Sequence, residues 1–331
     1  MSILVTGGLG FLGVNLLKRF AEAGEDVISL DVSSPDDQVY RFLALQTSRI
    51  TFYLGDTRDA HLLSQVFQNH RIDGIIHGAA LTATDPEVEK RDFAETVNVN
   101  IMGVASVLEA ARNRPLRKFI YISSASIYGP TTDPDRLIKE DDAPLPKRLY
   151  PITKRAGESL CMRHSEIYGT NLVILRVSSL YGPMERKTSA RQMMSTVHDY
   201  VHRALHGEEL VVSGLGHFRD FTYIDDVTEA FLKVFSVPVL PHGLYNVSSG
   251  RSYRIADVLE AVRRHIPEVQ YRLSDDHAPK GYSADPGRGP LDISRARKDF
   301  GFNPVHSLEE GVGKYIRWLR GGFLSSKQKG E

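Results

Sequence analysis

The most constraining stretch of this chain is Thr6-Gly7-Gly8-Leu9-Gly10-Phe11-Leu12-Gly13. It lies between a short apolar run at residues 2–5 and a helical apolar spacing (Leu12, Leu16, Leu17, Phe20) that Gly24 stops. Each glycine has a steric task. Gly7 permits a tight turn, Gly10 lets backbone approach a pyrophosphate, and Gly13 lets the helix pack closely on the strand. The helix N-terminus, opened by Phe11 and Leu12, offers unbonded N–H groups and a partial positive charge to phosphates. Asp31 ends the second apolar run, 18 residues beyond Gly13 (31 − 13). A carboxylate there can accept from adenosine ribose hydroxyls and repels a 2′-phosphate. No Lys or Arg follows before Arg41, so the expected cofactor is NAD rather than NADP.

Further strands are expected at 51–54, 74–76, 119–122 and 172–177, separated by helical patterns at 59–69, 91–113 and 151–168. This alternation predicts an α/β fold, a Rossmann-type doubly wound parallel sheet. After residue 178 the rhythm loosens. Helices are expected at 191–206, 225–236, 254–265 and 307–320, among short strands at 209–212 and 243–247. We read 1–178 as the dinucleotide-binding domain and 179–331 as a smaller mixed α/β substrate domain, partly interleaved with the first. Residues 278–290 suggest a loop or lid, and 325–331 a poorly ordered tail.

Tyr150-Pro151-Ile152-Thr153-Lys154 opens the helix expected at 151–168, with Pro151 suited to a first helical turn. Tyr150 and Lys154 are four apart and share a face. An ammonium and a helix N-terminus both favour phenolate, so the Tyr150 pKa is expected to fall towards working pH, fitting it to take a proton from a substrate hydroxyl. The 119–122 strand runs into Ser123, Ser124 and Ser126, any of which could hold the substrate oxygen.

Balanced charge (41 Lys plus Arg, 41 Asp plus Glu) argues against a nucleic-acid or membrane-surface binder. The single cysteine, Cys161, excludes an intrachain disulfide and reads as a packed thiol. No secretory signal or apolar run of about 20 residues is evident, which points to a cytoplasmic protein. His198, His202 and His206 recur every four residues and read as a solvated helix face, so no metal is expected. Asp225-Asp226 reads as a helix cap.

Taken together, these motifs resemble the extended short-chain dehydrogenase/reductase superfamily, in its NAD-dependent nucleotide-sugar epimerase/dehydratase branch. The likeness includes Gly55-Asp56-Thr57-Arg58-Asp59, His77-Gly78-Ala79-Ala80, Asn98-Val99-Asn100, Ser123–Gly129, Tyr150–Lys154, Arg176–Pro183 and Arg219–Asp226. By that resemblance Ser124, Tyr150 and Lys154 are catalytic, with Asn100 supporting the proton relay. Lys154 and Tyr150 also face the nicotinamide, Asp56 and Thr57 flank adenine, and Ala79, Ala80 and Val177 line the cofactor. A small sugar-type substrate is expected against Thr82, Ser124, Ser126, Tyr150, Ser179, Arg186, Arg191, Arg219 and Arg288. A homodimer is expected through helices 91–113 and 151–168.

Two departures shape the function. The acid–base pair of dehydratases is replaced by Ala125-Ser126, which argues against dehydration. The Asn that usually meets the nucleotide diphosphate is Ser179, and a basic segment at 184–192 replaces the usual Asn-Asn-Leu. The leading expectation is NAD-dependent epimerisation of a sugar or nucleotide sugar through a transient keto intermediate. A net dehydrogenase of a free sugar, sugar acid or other secondary alcohol stands second, and a non-catalytic dinucleotide sensor third.

Overall fold

The computed structural model describes residues 2–82, 85–274 and 287–324. Six strands and seven helices build the first part in chain order: β1 (Ser2–Thr6), α1 (Phe11–Glu22), β2 (Asp26–Asp31), α2 (Asp37–Leu43), β3 (Ile50–Leu54), α3 (Ala60–Asn69), β4 (Ile72–His77), α4 (Pro86–Arg91), α5 (Phe93–Val97), α6 (Gly103–Ala111), β5 (Lys118–Ser124), α7 (Leu149–Tyr168) and β6 (Leu172–Val177). The strands are nearly continuous apolar runs because helices cover both faces. Ile3, Leu4 and Val5, for example, are all fully buried. Residues 98–102 form a wide π-type turn joining α5 to α6, so the helix expected at 91–113 is a jointed rod.

The second part adds β7 (Ser179–Tyr181), α8 (Thr196–Leu205), β8 (Leu210–Val212), β9 (Phe218–Arg219), β10 (Phe221–Tyr223), α9 (Ile224–Ser236), β11 (Leu244–Val247), β12 (Tyr253–Arg254), α10 (Ile255–His265), β13 (Tyr271–Leu273), α11 (Ser294–Phe300) and α12 (Leu308–Trp318). The central sheet has seven parallel strands in the order β11-β6-β5-β4-β1-β2-β3. Strand order therefore reverses between β1 and β4, and the carboxyl ends there open a crevice of the kind in which such sheets bind ligands. Late in sequence, β11 completes the sheet at β6, and α9 packs on α1. A separate core of α8, α10 and α12, with Tyr200, Val258 and Tyr315 buried, backs the crevice from the other side.

Several local readings are corrected. The helix expected at 191–206 begins only at Thr196, capped by Ser195, because Glu185 binds the Ser195 amide and hydroxyl and holds the preceding segment out of helix. Asp226 does not cap its helix. Its carboxylate accepts from the Val305 and His306 amides and from the His306 ring, tying the loop before α12 to α9. The histidines of α8 are not a solvated face either. His198 and His202 stack at 4.0 Å, and His202 Nε2 meets the Tyr315 hydroxyl at 3.1 Å, because α12 packs across α8. Helices α2, α4 and α11, of seven, six and seven residues, are too short for a helical period to stand out and are absent from the sequence reading. Most of the 278–290 lid and the 325–331 tail lie outside the described residues.

Candidate active site

The glycine turn is built on contacts that admit no side chain. Gly7 has a φ of +68°, and a Cβ there would stand 2.8 Å from the Ala79 amide nitrogen. At Gly13 a Cβ would stand 2.1 Å from the Gly7 carbonyl oxygen, so helix α1 meets the turn with nothing between them. Asp31, at the carboxyl end of β2, accepts from the Leu9 amide at 2.9 Å and the Ser33 amide at 3.0 Å. Burial pushes its carboxyl above the ordinary value, against those amides and the Arg186 guanidinium. These residues fit a dinucleotide. The bare backbone at the N-terminus of α1 can approach a pyrophosphate, and a fixed carboxylate closes the ribose end.

A cleft of about 420 Å³ continues from this turn between the two parts of the chain. Gly7, Gly10, Phe11, Leu12, Gly13, Ala80 and Val177 line it from the cofactor side, and Thr82, Ser124, Ser126, Tyr150, Lys154 and Ser179 from its floor. Arg191, Arg219 and Arg288 line the opposite wall. Sixteen of the expected residues, scattered from 7 to 288, thus converge.

Tyr150 lies in the first turn of α7, near enough to the Ser124 hydroxyl at the end of β5 for that hydroxyl to favour its ionised form. Ser124 Oγ also lies 2.9 Å from Ser126 Oγ. The expected direction of the Tyr150 pKa is corrected. Burial pushes the phenol up, and Ser124, Arg191 and Arg288 only partly offset it. Lys154 is not among the groups that offset the burial. Its ammonium sits 4.2 Å from the centroid of the Tyr121 ring, and burial brings it down to about 8.

Other expected residues stand outside the cleft lining. Asn100 is buried in the π-type turn, where its amide donates to Thr153 Oγ1 (2.9 Å) and the Leu81 carbonyl (3.0 Å) and accepts from the Leu81 amide (2.8 Å). It braces the strand-end loop against α7 one residue before Lys154. Ala79 backs Gly7. Beyond β3, Asp56 is held by Arg58 through Nε and Nη2 at 2.9 and 2.6 Å, and Thr57 is buried beneath Gly103. Arg186, expected at the substrate, reaches the other way. Its Nη1 donates to Asp36 at 2.6 Å, in the loop after Asp31. The Pro183 carbonyl, three residues earlier, accepts from Asn15 of α1 at 3.0 Å, which steers the segment across the dinucleotide end.

The rest of the 184–192 segment is anchored over the cleft. Buried Glu185 pairs with Arg191 at 2.6 Å, and the Thr82 amide and hydroxyl both donate to the Ala190 carbonyl at 2.9 Å. Lys147 and Arg148 also line the cleft and were missed, since a basic pair in a loop looks like ordinary solvated surface. Also missed was a buried network behind the floor. Glu158 accepts from Ser123 Oγ (2.6 Å), from Arg176 Nε and Nη2 (both 2.8 Å) and from Arg155 (2.9 Å), while Arg176 donates to the Tyr128 hydroxyl (2.7 Å). Among the described residues no cluster of His, Cys, Asp or Glu suits a metal ion, and no helix is long and apolar enough to cross a membrane.

Comparison with known proteins agrees with this geometry. The profile of the NAD dependent epimerase/dehydratase family matches residues 3–248. UDP-glucuronate 4-epimerase 3 of Arabidopsis thaliana is 27% identical over 345 aligned positions, covering 99% of this chain and 78% of the relative. The crystal structure of the Thermotoga maritima UDP-glucose 4-epimerase with UDP-glucose superposes with a TM-score of 0.83 at 26% identity, covering 98% of this chain and 100% of that one. The UDP-glucuronic acid 4-epimerase of Bacillus cereus, in complex with UDP-glucuronic acid and NAD, gives 0.79 at 26% identity, covering 97% and 99%. This chain belongs to the NAD-dependent epimerase/dehydratase family and is an NAD-dependent enzyme of the extended short-chain dehydrogenase/reductase type.

Proposed function

We propose that the protein interconverts the C4 stereoisomers of a nucleotide-linked sugar that carries an anionic group, a UDP-hexuronate being the best match. The carrying observation is electrostatic. The chain as a whole is neutral, yet Lys147, Arg148, Lys154, Arg191, Arg219 and Arg288 line the described cleft and no Asp or Glu does. Such a wall suits a diphosphate and a carboxylate, which arginine forks bind in bidentate fashion. The related 4-epimerases named above are named for UDP-sugars, two of them for UDP-glucuronic acid and one for UDP-glucose, and the two support the same reading.

In this reading Tyr150 takes the proton from the C4 hydroxyl and returns it after the sugar has turned over, with the Ser124 hydroxyl holding the same oxygen. NAD, held by Gly7 to Gly13 and Asp31, supplies the hydride acceptor and returns the hydride to the other face. Arg191 and Arg288, close enough to pull on the phenol, oppose the effect of burial and favour the phenolate form that can accept this proton. Asp56 and Thr57 border the adenine end, and Ala80 and Val177 flank the nicotinamide. The protein is assigned to the cytoplasm and to a homodimer through α5–α6 and α7. Phe93, Met102, Ile152, Leu160 and Ile167 are exposed along those helices and support such a pairing.

The test is to incubate the purified protein with UDP-hexuronates and neutral UDP-hexoses, following product stereochemistry and NADH absorbance together. The expected result is a C4 stereoisomer of the uronate without net NADH, abolished in Tyr150→Phe while NAD binding persists. Stoichiometric NADH would overturn epimerisation, and turnover of neutral hexoses alone would overturn the acidic substrate.

A further inference from the structure

The ammonium of Lys154 has an unusual neighbour. Among the described residues no carboxylate pairs with it, and the nearest acid on its own helix, Glu158, is fully engaged by Arg176, Arg155 and Ser123. What faces it is the π-face of Tyr121, 4.2 Å from ring centroid to Nζ, on the floor strand β5. The ring is held by further contacts. Its hydroxyl donates to the Lys154 carbonyl at 3.3 Å, and it stacks on His77 of β4, its register partner, at 6.0 Å and 19°. The ring can lie so close to α7 only because residue 157 is glycine, where a Cβ would stand 2.1 Å from the Tyr121 oxygen.

We infer that Tyr121 is a positioning residue for Lys154, an aromatic platform that holds the ammonium charged and in place at the cleft floor. A cation over a desolvated ring face is attracted by the ring quadrupole, and here that attraction opposes the cost of burial. Glu158 also favours the ammonium, from beyond ion-pair distance and while bound to Arg176 and Arg155, so the ring is the group in direct contact. His77 is fully buried and kept neutral, its pKa brought down to about 3 by burial and then by Lys154 itself. Burial pushes the Cys161 thiol up to about 12. Tyr150 is likewise pushed up, and Arg176 of β6 is bound to Glu158.

Because the ring favours the ammonium, losing it lowers the Lys154 pKa, and the charged form disappears at a lower pH. The inference rests on the epimerase reading for its turnover assay, so a second readout uses NAD alone. Four proteins are compared: wild type, Tyr121→Phe, Tyr121→Leu and Gly157→Ala, the last of which displaces the ring without deleting it. For each, the pH profile of kcat and the pH dependence of NAD affinity without sugar are measured, with thermal denaturation as a control for folding.

Tyr121→Phe keeps the ring and is expected to retain kcat within about threefold, with an unmoved basic limb. Tyr121→Leu and Gly157→Ala are expected to move the basic limb of both profiles acidward by about one pH unit, corresponding to roughly a tenfold loss of the ammonium form above it. If Tyr121→Leu fails to fold, Gly157→Ala and Tyr121→Phe carry the comparison. A basic limb unmoved in both ring-perturbing variants overturns the inference. So does Tyr121→Phe behaving like Tyr121→Leu, which would assign the effect to the hydroxyl. A wild type inactive on every sugar, with the NAD-affinity limb moving as expected, overturns the substrate reading and leaves the platform standing.

Discussion

Replacing Glu158 by Ala should be among the most damaging single changes outside the cleft. Its side chain is wholly buried, and it is the only carboxylate on the buried Arg176 guanidinium among the described residues. Exchanging such a pair for apolar residues is often neutral, but removing one member strands the other charge, at about 3–5 kcal/mol. Arg176 would keep only the neutral Tyr128 hydroxyl and the Glu140 carbonyl, and Ser123 would lose its acceptor. Unfolding entropy near 2.1 cal/mol/K per residue gives roughly 0.7 kcal/mol/K for 331 residues, so Tm should fall by about 4–7 °C. Differential scanning calorimetry at neutral pH and fixed NAD reads this directly. Arg176→Met should cost a similar amount, and Glu158→Leu with Arg176→Met should cost at least about 2 kcal/mol less than the sum of the single changes. The pH dependence follows from direction. Burial would raise the Glu158 carboxyl, but the Arg176, Ser123 and Arg155 contacts outweigh it and hold it below the usual glutamate range. Its contribution is therefore fully present above that range and is lost as pH falls through the lowered value. Additive losses, or a Glu158→Ala variant within about 1 kcal/mol of wild type, would refute the reasoning.

Two further expectations concern the cofactor. Gly13→Ala puts a Cβ 2.1 Å from the Gly7 oxygen, so calorimetric titration should show NAD affinity falling at least about tenfold, and unchanged affinity would sever the turn from the cofactor site. Wild type should prefer NAD to NADP, Asp31→Ala should narrow the gap, and adding Asp36→Asn should narrow it further by freeing Arg186, which Asp36 now holds at 2.6 Å. NADP affinity equal to that for NAD in wild type would remove the role given to Asp31, and an inert Asp36→Asn would remove that of the pair.

What could be read from the sequence and what could not divide along physical lines. Gly7, Gly10, Gly13 and Asp31 are legible because a strand, a turn and a helix that must meet closely leave their mark within thirty residues of chain. Tyr150 and Lys154 are legible for the same reason, since one helical turn fixes their spacing. Arg186 was misassigned, because its neighbour Asp36 is 150 residues away and nothing local reports which side of α1 the chain will cross. The electrostatics of the floor were also misjudged. Spacing placed Lys154 on the same face as Tyr150 and suggested that its charge would act on the phenol, but spacing says nothing about what packs against that face. Tyr121, an unremarkable aromatic in a buried strand, takes the ammonium, and burial raises the phenol. The arginines that do pull on the phenol come from 191 and 288, across the cleft. The charge state of the Tyr150/Lys154 pair is thus a property of the assembled cleft, set by elements that approach from three distant parts of the chain, while its spacing is a property of one helix. A local motif can therefore bring two side chains to one face and still give the wrong sign for their tuning.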